Sequence, residues 1–526
     1  MLAARRMRRR SAAAVLVAAL VSLPGCTVGP EYHTPEGPMV SRYTPEPLPQ
    51  PTDAGAAGGG TQAFVEGGAL PAEWWTVFEC PALDALVRQA LTDSPTLAGA
   101  QAKLQRARED LESGKGVRLP QADLRVSATR VNIDPQSFDV DRLPIDMPFT
   151  LYDVSARVSY TLDLFGRNRR ELEGLAAVVD YQRFQLEAAR LTIAGNVVTA
   201  AIREASLRQQ IDRTREVVDL EEKMLAIAER RERLGAIPRI EVAAQRSETA
   251  ESRAALPDLE RRLAGTRNRL AVLLGRAPGE ASLPEFHLDD LKLPAELPLS
   301  LPSELARQRP DIMAAEALLH EASARVGAAT ADLYPHITLS ATGGSLSTIF
   351  SNLLSSGTWF SLLGGTLMQP IFHGGELRAE KRAAVAAFDE AGATYREVLL
   401  TGFQDVADVL VALDADAKRL RDRSESAAAA KTILDVTSQR YESGGVSHIE
   451  LLEAQRRLQR TRIEETRALA DRYADSAALF QALGGGWWTA EQGAPASEQA
   501  TPAPDHAPET LPPTAPQPSP PSGGRL

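Results

Sequence analysis

The chain is poor in the residues from which compact chemical sites are built. Only two cysteines, Cys26 and Cys80, occur in 526 residues, too few for a zinc cluster. Seven histidines are scattered without HxxxH or HExxH spacing, and neither a GxSxG nucleophile elbow nor a phosphate-binding loop occurs. The expectation is a protein that is not an enzyme and holds no metal or cofactor. No stretch after the N-terminus stays apolar for the 18 or so residues a membrane helix needs. Strands of a β-barrel remain possible on this count, because their alternating pattern is too weak for hydropathy to register. Positive charge is also scarce: 58 Lys and Arg face 69 Asp and Glu, giving a net charge of −11. Nucleic acid is not an expected partner, since its binding surfaces are basic.

What the chain does have begins at its start. Arginines at 5, 6, 8, 9 and 10 precede an uncharged run from Ser11 to Leu23. A basic n-region followed by a short apolar h-region is the pattern of a secretory signal peptide. The run closes on Gly25-Cys26-Thr27, which resembles the lipobox of bacterial lipoproteins. That resemblance implies cleavage before Cys26 and a diacylglycerol thioether and N-acyl chain on it. Thr27, in place of an aspartate, favours the outer membrane. Loss of residues 1–25 removes five arginines and no acid, leaving the mature part near −16. With Cys26 acylated, Cys80 has no intrachain partner and reads as a small apolar side chain beside Trp74 and Trp75.

The remainder is one unit written twice. Ser94-Pro95 opens a segment that recurs from Arg309-Pro310, with Ala100, Leu104, Ala107 and Leu124 matched by Ala315, Leu319, Ala322 and Leu339. Later, Gly235 to Glu241 matches Gly444 to Glu450, and Leu274-Gly275 matches Leu483-Gly484. Each unit reads as a helix of some 20 residues, two strands, a very long helix, a glycine turn and a second long helix. Residues 154–164 alternate without a miss, with Val154, Ala156, Val158, Tyr160, Leu162 and Leu164 on one face. That length suits a tilted membrane strand of about 9–11 residues; its counterpart from Trp359 to Phe372 alternates poorly. No proline interrupts Asn168 to Arg233 or Glu376 to Glu442, and Leu399, Phe403, Val406, Leu410, Leu413, Ala417 and Leu420 form a heptad seam. Ser94 reads as an N-cap, Ser447 to Glu450 as a capping box, and Pro257 as a kink or break. Two strands per unit give four per chain, too few to close a barrel alone, so association is required.

Taken together, Cys26 to Tyr32, Trp74-Trp75 with Leu83 to Ala90, Leu301 to Ile312 with Ala315-Glu316, 256–275 and Ala482 to Trp487 resemble the TolC-type outer-membrane factors. Within these, the chain is similar to the NodT-type efflux lipoproteins that serve resistance-nodulation-division pumps. The resemblance implies an α+β membrane protein in which three chains share a twelve-stranded outer-membrane β-barrel continuous with a long periplasmic α-helical barrel. It implies an exit duct, lipid-anchored in the cell outer membrane, whose partners are two further copies, a periplasmic adaptor and an inner-membrane transporter. The expected division is signal peptide 1–25, lipid-anchored linker 26–81, first repeat 82–275, connector 276–301 at the tube's waist, second repeat 302–486 and a disordered Pro-rich tail 487–526, with 44–62 a flexible link.

The same resemblance assigns the sites. The tips, Gly235-Ala236-Ile237 and Gly444-Gly445-Val446, would meet the adaptor. Ile449, Glu453 and Arg456, on one helix face, would narrow the periplasmic entrance as an apolar ring and an acidic ring in triplicate, with Arg456 or a cation relieving the like charges. The first repeat has Ile240, Ala244 and Ser247 at those places, so the acidic ring would come from the second half alone. A structural envelope-spanning coiled-coil lipoprotein without a pore is the competing reading, and the alternating strands argue against it.

Overall fold

A computed structural model describes residues 27–35, 40, 42–45, 52–53, 60–132 and 148–489. Residues 1–26, which hold the expected signal peptide and Cys26, and residues 490–526 lie outside the described residues. Helices α1 (Pro81–Asp93) and α2 (Pro95–Gly116) lead into strands β3 (Gln121–Val131) and β4 (Phe149–Leu162), then helices α3 (Arg167–Arg233) and α4 (Arg239–Leu273). After a connector and the short α5 (Pro302–Gln308), the order recurs as α6 (Pro310–Ala331), β6 (His336–Ser347), β7 (Trp359–Met368), α7 (Glu376–Glu442) and α8 (His448–Ala482). The correspondence is closer than the sequence match: α2 and α6 each have 22 residues, α3 and α7 each 67, and α4 and α8 each 35. A 67-residue helix extends about 100 Å.

The four strands form one antiparallel sheet in the order β3-β4-β6-β7. Because the register is continuous, faces add up across strands. Ala122, Val158, Ala341 and Leu363 stand in one row, while Thr161, Thr338 and Thr366 form a row on the other face. The apolar face is bare: Leu124, Val126 and Leu363 are 74%, 70% and 85% exposed. Gly344 belongs to packing, since a Cβ there would sit 2.4 Å from the Val154 carbonyl of the neighbouring strand. Among the described residues both outer strands present unpaired edges, which no lipid environment tolerates.

Below the sheet the long helices pack side by side, α4 against α3, α3 against α8 and α8 against α7, with α6 bridging α3 and α7. The heptad seam of α7 is buried at Leu399, Val406, Leu410, Leu413, Ala417 and Leu420, with Phe403 partly so. The largest core lies at the level of the connector, where Trp74 stacks on Phe480 at 5.7 Å and Phe78, Leu83, Leu297 and Leu305 are fully buried. Cys80, free among the described residues, is buried in that core.

Four expectations need correction. Strand β4 ends at Leu162, leaving Leu164 in the link to α3, where Asp163 caps the helix by accepting from the Asn168 and Arg169 backbone N–H groups. The helix runs through Pro257 without a break; one lost hydrogen bond is outweighed by packing along a helix of 35 residues. Ser94 occupies the N-cap but its side chain makes no capping bond; Pro95 at the first position already lacks an N–H. The supposed link 44–62 and linker 26–81 are partly built into the fold. Strand β1 (Thr52–Asp53) pairs with β2 (Thr61–Glu66), which lies parallel to β5 (Glu296–Leu299) of the connector. Buried Gln62 donates to the Pro294 carbonyl and to Ser476.

Candidate functional site

Both long-helix pairs turn at their far ends in the same way. Leu234 and Ser443 end the helices, Gly235 (φ 70°) and Gly444 (φ 74°) take the left-handed conformation, and paired backbone bonds close the turn. In one, Gly235 N donates to Glu232 O and Ala236 N to Arg231 O; in the other, Gly444 N donates to Tyr441 O and Gly445 N to Arg440 O. This is the Schellman arrangement, which glycine adopts without a Cβ penalty. Gly445, unlike Gly444, does not have a positive φ. Nothing stands within 4 Å of where a Cβ would be on Gly235 or Gly444, and Leu234 and Ile240 are 75% and 76% exposed. At the tips the glycines and Ala236 are exposed, while Ile237 and Val446 are half-buried.

Just above the second tip, Ser447 accepts from Glu450 N and Glu450 reaches back to Ser447 N, the expected capping box. It fixes the direction of α8, which carries Ile449 half-buried and Glu453 exposed, with no ion-pair partner for Glu453 among the described residues. Arg456 does not turn toward Glu453. Its guanidinium is bound to Glu248 of α4 and stands 3.7 Å from Glu221 of α3. Arg460 joins both, at 3.0 Å from Glu221 and 3.2 Å from Glu248. Burial works against the Glu248 charge, but the bonds and fields of Arg456 and Arg460 prevail and hold its carboxyl below the usual range. The relief of the acidic ring expected from Arg456 is thus absent within one chain, because the arginine serves as a clasp between the two repeats. This clasp lay outside sequence reasoning; i, i+4 spacing of Arg456 and Arg460 places them on one face but names no partner.

A second hub sits near the waist. Arg309, inside the Arg309-Pro-Asp-Ile312 motif, donates to Asp311 at 2.7 Å, Asp405 at 2.9 Å and the carbonyl of Ala482 at 3.1 Å. It ties the start of α6 to α7 and to the end of α8. Burial disfavours its charge, yet the two aspartates keep its pKa above the usual value. Higher up, the N-terminal segment runs along the helices: Val28 N donates to Phe165 O, Tyr32 stacks on His320 at 4.2 Å, and Tyr43 donates to Ser300 O. Gly29 lies so close to Gly327 that a Cβ would be 2.5 Å from its Cα.

Among the described residues there is no cluster fit for a metal and no helix long and apolar enough to cross a membrane. An amphipathic four-stranded sheet with open edges, mounted on helices of about 100 Å that end in exposed tips, defines the subunit of an outer-membrane channel. Residues 86–276 and 301–485 match the outer membrane efflux protein family, and the chain belongs to it. It is 31% identical over 455 residues to the pyoverdine export outer membrane protein OpmQ of Pseudomonas aeruginosa, covering 85% of this chain and 94% of that one. The solvent efflux pump outer membrane protein SrpC of Pseudomonas putida is 30% identical over 89% of this chain and 97% of its own. Among solved structures, the outer-membrane channel OprN is similar with a TM-score of 0.75 at 27% identity, covering 88% of this chain and all of that one. The open-state MtrE channel of Neisseria gonorrhoeae gives 0.74 at 25%, covering 88% and 99%. The protein is an outer-membrane component of an efflux system, and the poreless brace is set aside.

Proposed function

We propose that three copies of this chain, each lipidated at Cys26, form the exit duct of a tripartite efflux assembly. Edge strand β3 of one copy pairs with β7 of the next, closing twelve strands in the outer membrane, while α3, α4, α7 and α8 of each copy make one third of a tube below. An inner-membrane resistance-nodulation-division transporter delivers the substrate, and a periplasmic adaptor meets the tips at Gly235-Ala236-Ile237 and Gly444-Gly445-Val446. The observation that carries this reading is the sheet: its apolar face is bare and both of its edges are unpaired, which only neighbouring copies and lipid satisfy together.

At the periplasmic end, Ile449 and Glu453 in triplicate narrow the entrance. The Arg456–Glu248 clasp holds α8 against α4 and keeps it narrow. Replacing Glu453 and Arg456 with alanine is expected to raise single-channel conductance in planar bilayers several-fold, since one change removes the acidic ring and the other the clasp. Conductance unchanged from wild type would place the constriction elsewhere.

A further inference from the structure

The helical layer has two faces, and they are not alike. One is covered. Arg267 of α4 donates to the carbonyls of Leu283 and Pro284, Arg208 of α3 stands 3.3 Å from Glu285, and Tyr473 of α8 donates to Leu291 O. The covering segments continue through β5, β2 and Tyr43 to Thr27, the residue after Cys26. A chain whose first residue is held in lipid must run along the outside of a tube, so the covered face is the outer wall. The bare face is then the lumen wall, an assignment that rests on the duct reading above.

That bare face carries a concentration of arginine. Arg262 and Arg269 lie five residues before and two after Arg267, roughly 140–160° round the helix from the covered side. Arg203 of α3 and Arg467 of α8 open onto the same adjoining clefts, together with Thr199 and Gln210. Neither Arg203 nor Arg262 has an ion-pair partner among the described residues, and Arg269 bonds only the neutral amide of Asn196, at 2.9 Å. Asp471, the single carboxylate lining these clefts, is held by Arg419 at 2.8 Å. In a protein of net charge −11, this is a local excess of positive charge with hydrogen-bonding hydroxyl and amide groups beside it.

We propose that Arg203, Arg262 and Arg269, repeated in three copies, form a basic belt round the lumen that binds multivalent anionic solutes in transit. Guanidinium groups hold carboxylates and phosphates through paired N–H donors, and a belt of exposed charges binds weakly enough to release. The duct thereby favours anionic cargo over neutral or cationic cargo of the same size.

Inorganic pyrophosphate is the probe, used with full-length protein purified from outer membranes. It is expected to block the potassium chloride current of the wild type. In the variant R203Q/R262Q/R269Q the block should require about tenfold more pyrophosphate, because three positive charges lining one cleft have been removed. A wild type that is not blocked, or a block equal in the variant, overturns the belt. A second readout does not need conduction: pyrophosphate should raise the unfolding temperature of the detergent-solubilised wild type and not that of the variant, and equal responses in the two contradict the proposal. Complete lack of current from the wild type would count against the duct itself, while the unfolding measurement still decides the belt.

Discussion

Asp416 shows how much a single position can hold that sequence pattern does not announce. It lies in α7 one place before the heptad residue Ala417, is 4% exposed, and faces Asp471 and Asp475 of α8, with Arg419 bonded to both Asp416 and Asp471. Burial first, then the hydrogen bond and charge of Asp475, push its carboxyl from the ordinary 3.8 up to about 7. Asp471 is also raised, chiefly by burial. Neutral Asp416 keeps its proton and donates a hydrogen bond to Asp475, so one of the two facing charges is removed. The folded protein therefore holds this proton to higher pH than the unfolded chain does. Stability from this site is complete below the unfolded value near 4, falls as pH rises through about 7, and changes no further above it. Thermal unfolding followed from pH 5 to 8 should show that decline, and Asp416→Asn, which donates its bond at every pH, should flatten it. A variant with the wild-type slope would remove Asp416 as its cause. At this scale, the residues that were legible were those whose chemistry is local: the two tip glycines and the capping box. The Arg456–Glu248 clasp and the Asp416–Asp475 pair join positions 208 and 59 apart in the chain, and only the packing of helices brings them together.

Elements were the most readable level. Helices α3 and α7 begin and end within one residue of the limits set by proline and glycine, because a long helix needs only an uninterrupted apolar stripe and definite stop signals. Strand β7 was legible only through its partner in the first repeat; all of its residues are exposed in the single chain, and its glycines blur the alternation. The segment Thr61–Glu66 was missed as a strand because its neighbour in the sheet, Glu296–Leu299, is remote in sequence and the pairing is parallel. Capping gives a direct test at this level. Ser447→Ala removes the acceptor for Glu450 N and should lower stability by about 1 kcal/mol per chain, read from denaturant unfolding, while Ser94→Ala, which loses no capping bond, should change it little. Equal losses in the two variants would contradict the capping assignment.

For the whole molecule, the account turns on what one chain cannot satisfy by itself. Four strands with a bare apolar face and two open edges are one third of the proposed twelve-stranded barrel, which lipid and neighbouring copies must complete. In the proposed duct the long helices give reach, the connector and N-terminal segment brace the outer wall, and the inner wall is left open to solutes. The most direct measurement is the native mass of the mature protein extracted from outer membranes in mild detergent. Three chains, each beginning at an acylated Cys26, are the predicted result; a single chain without lipid would contradict both the shared barrel and the anchor.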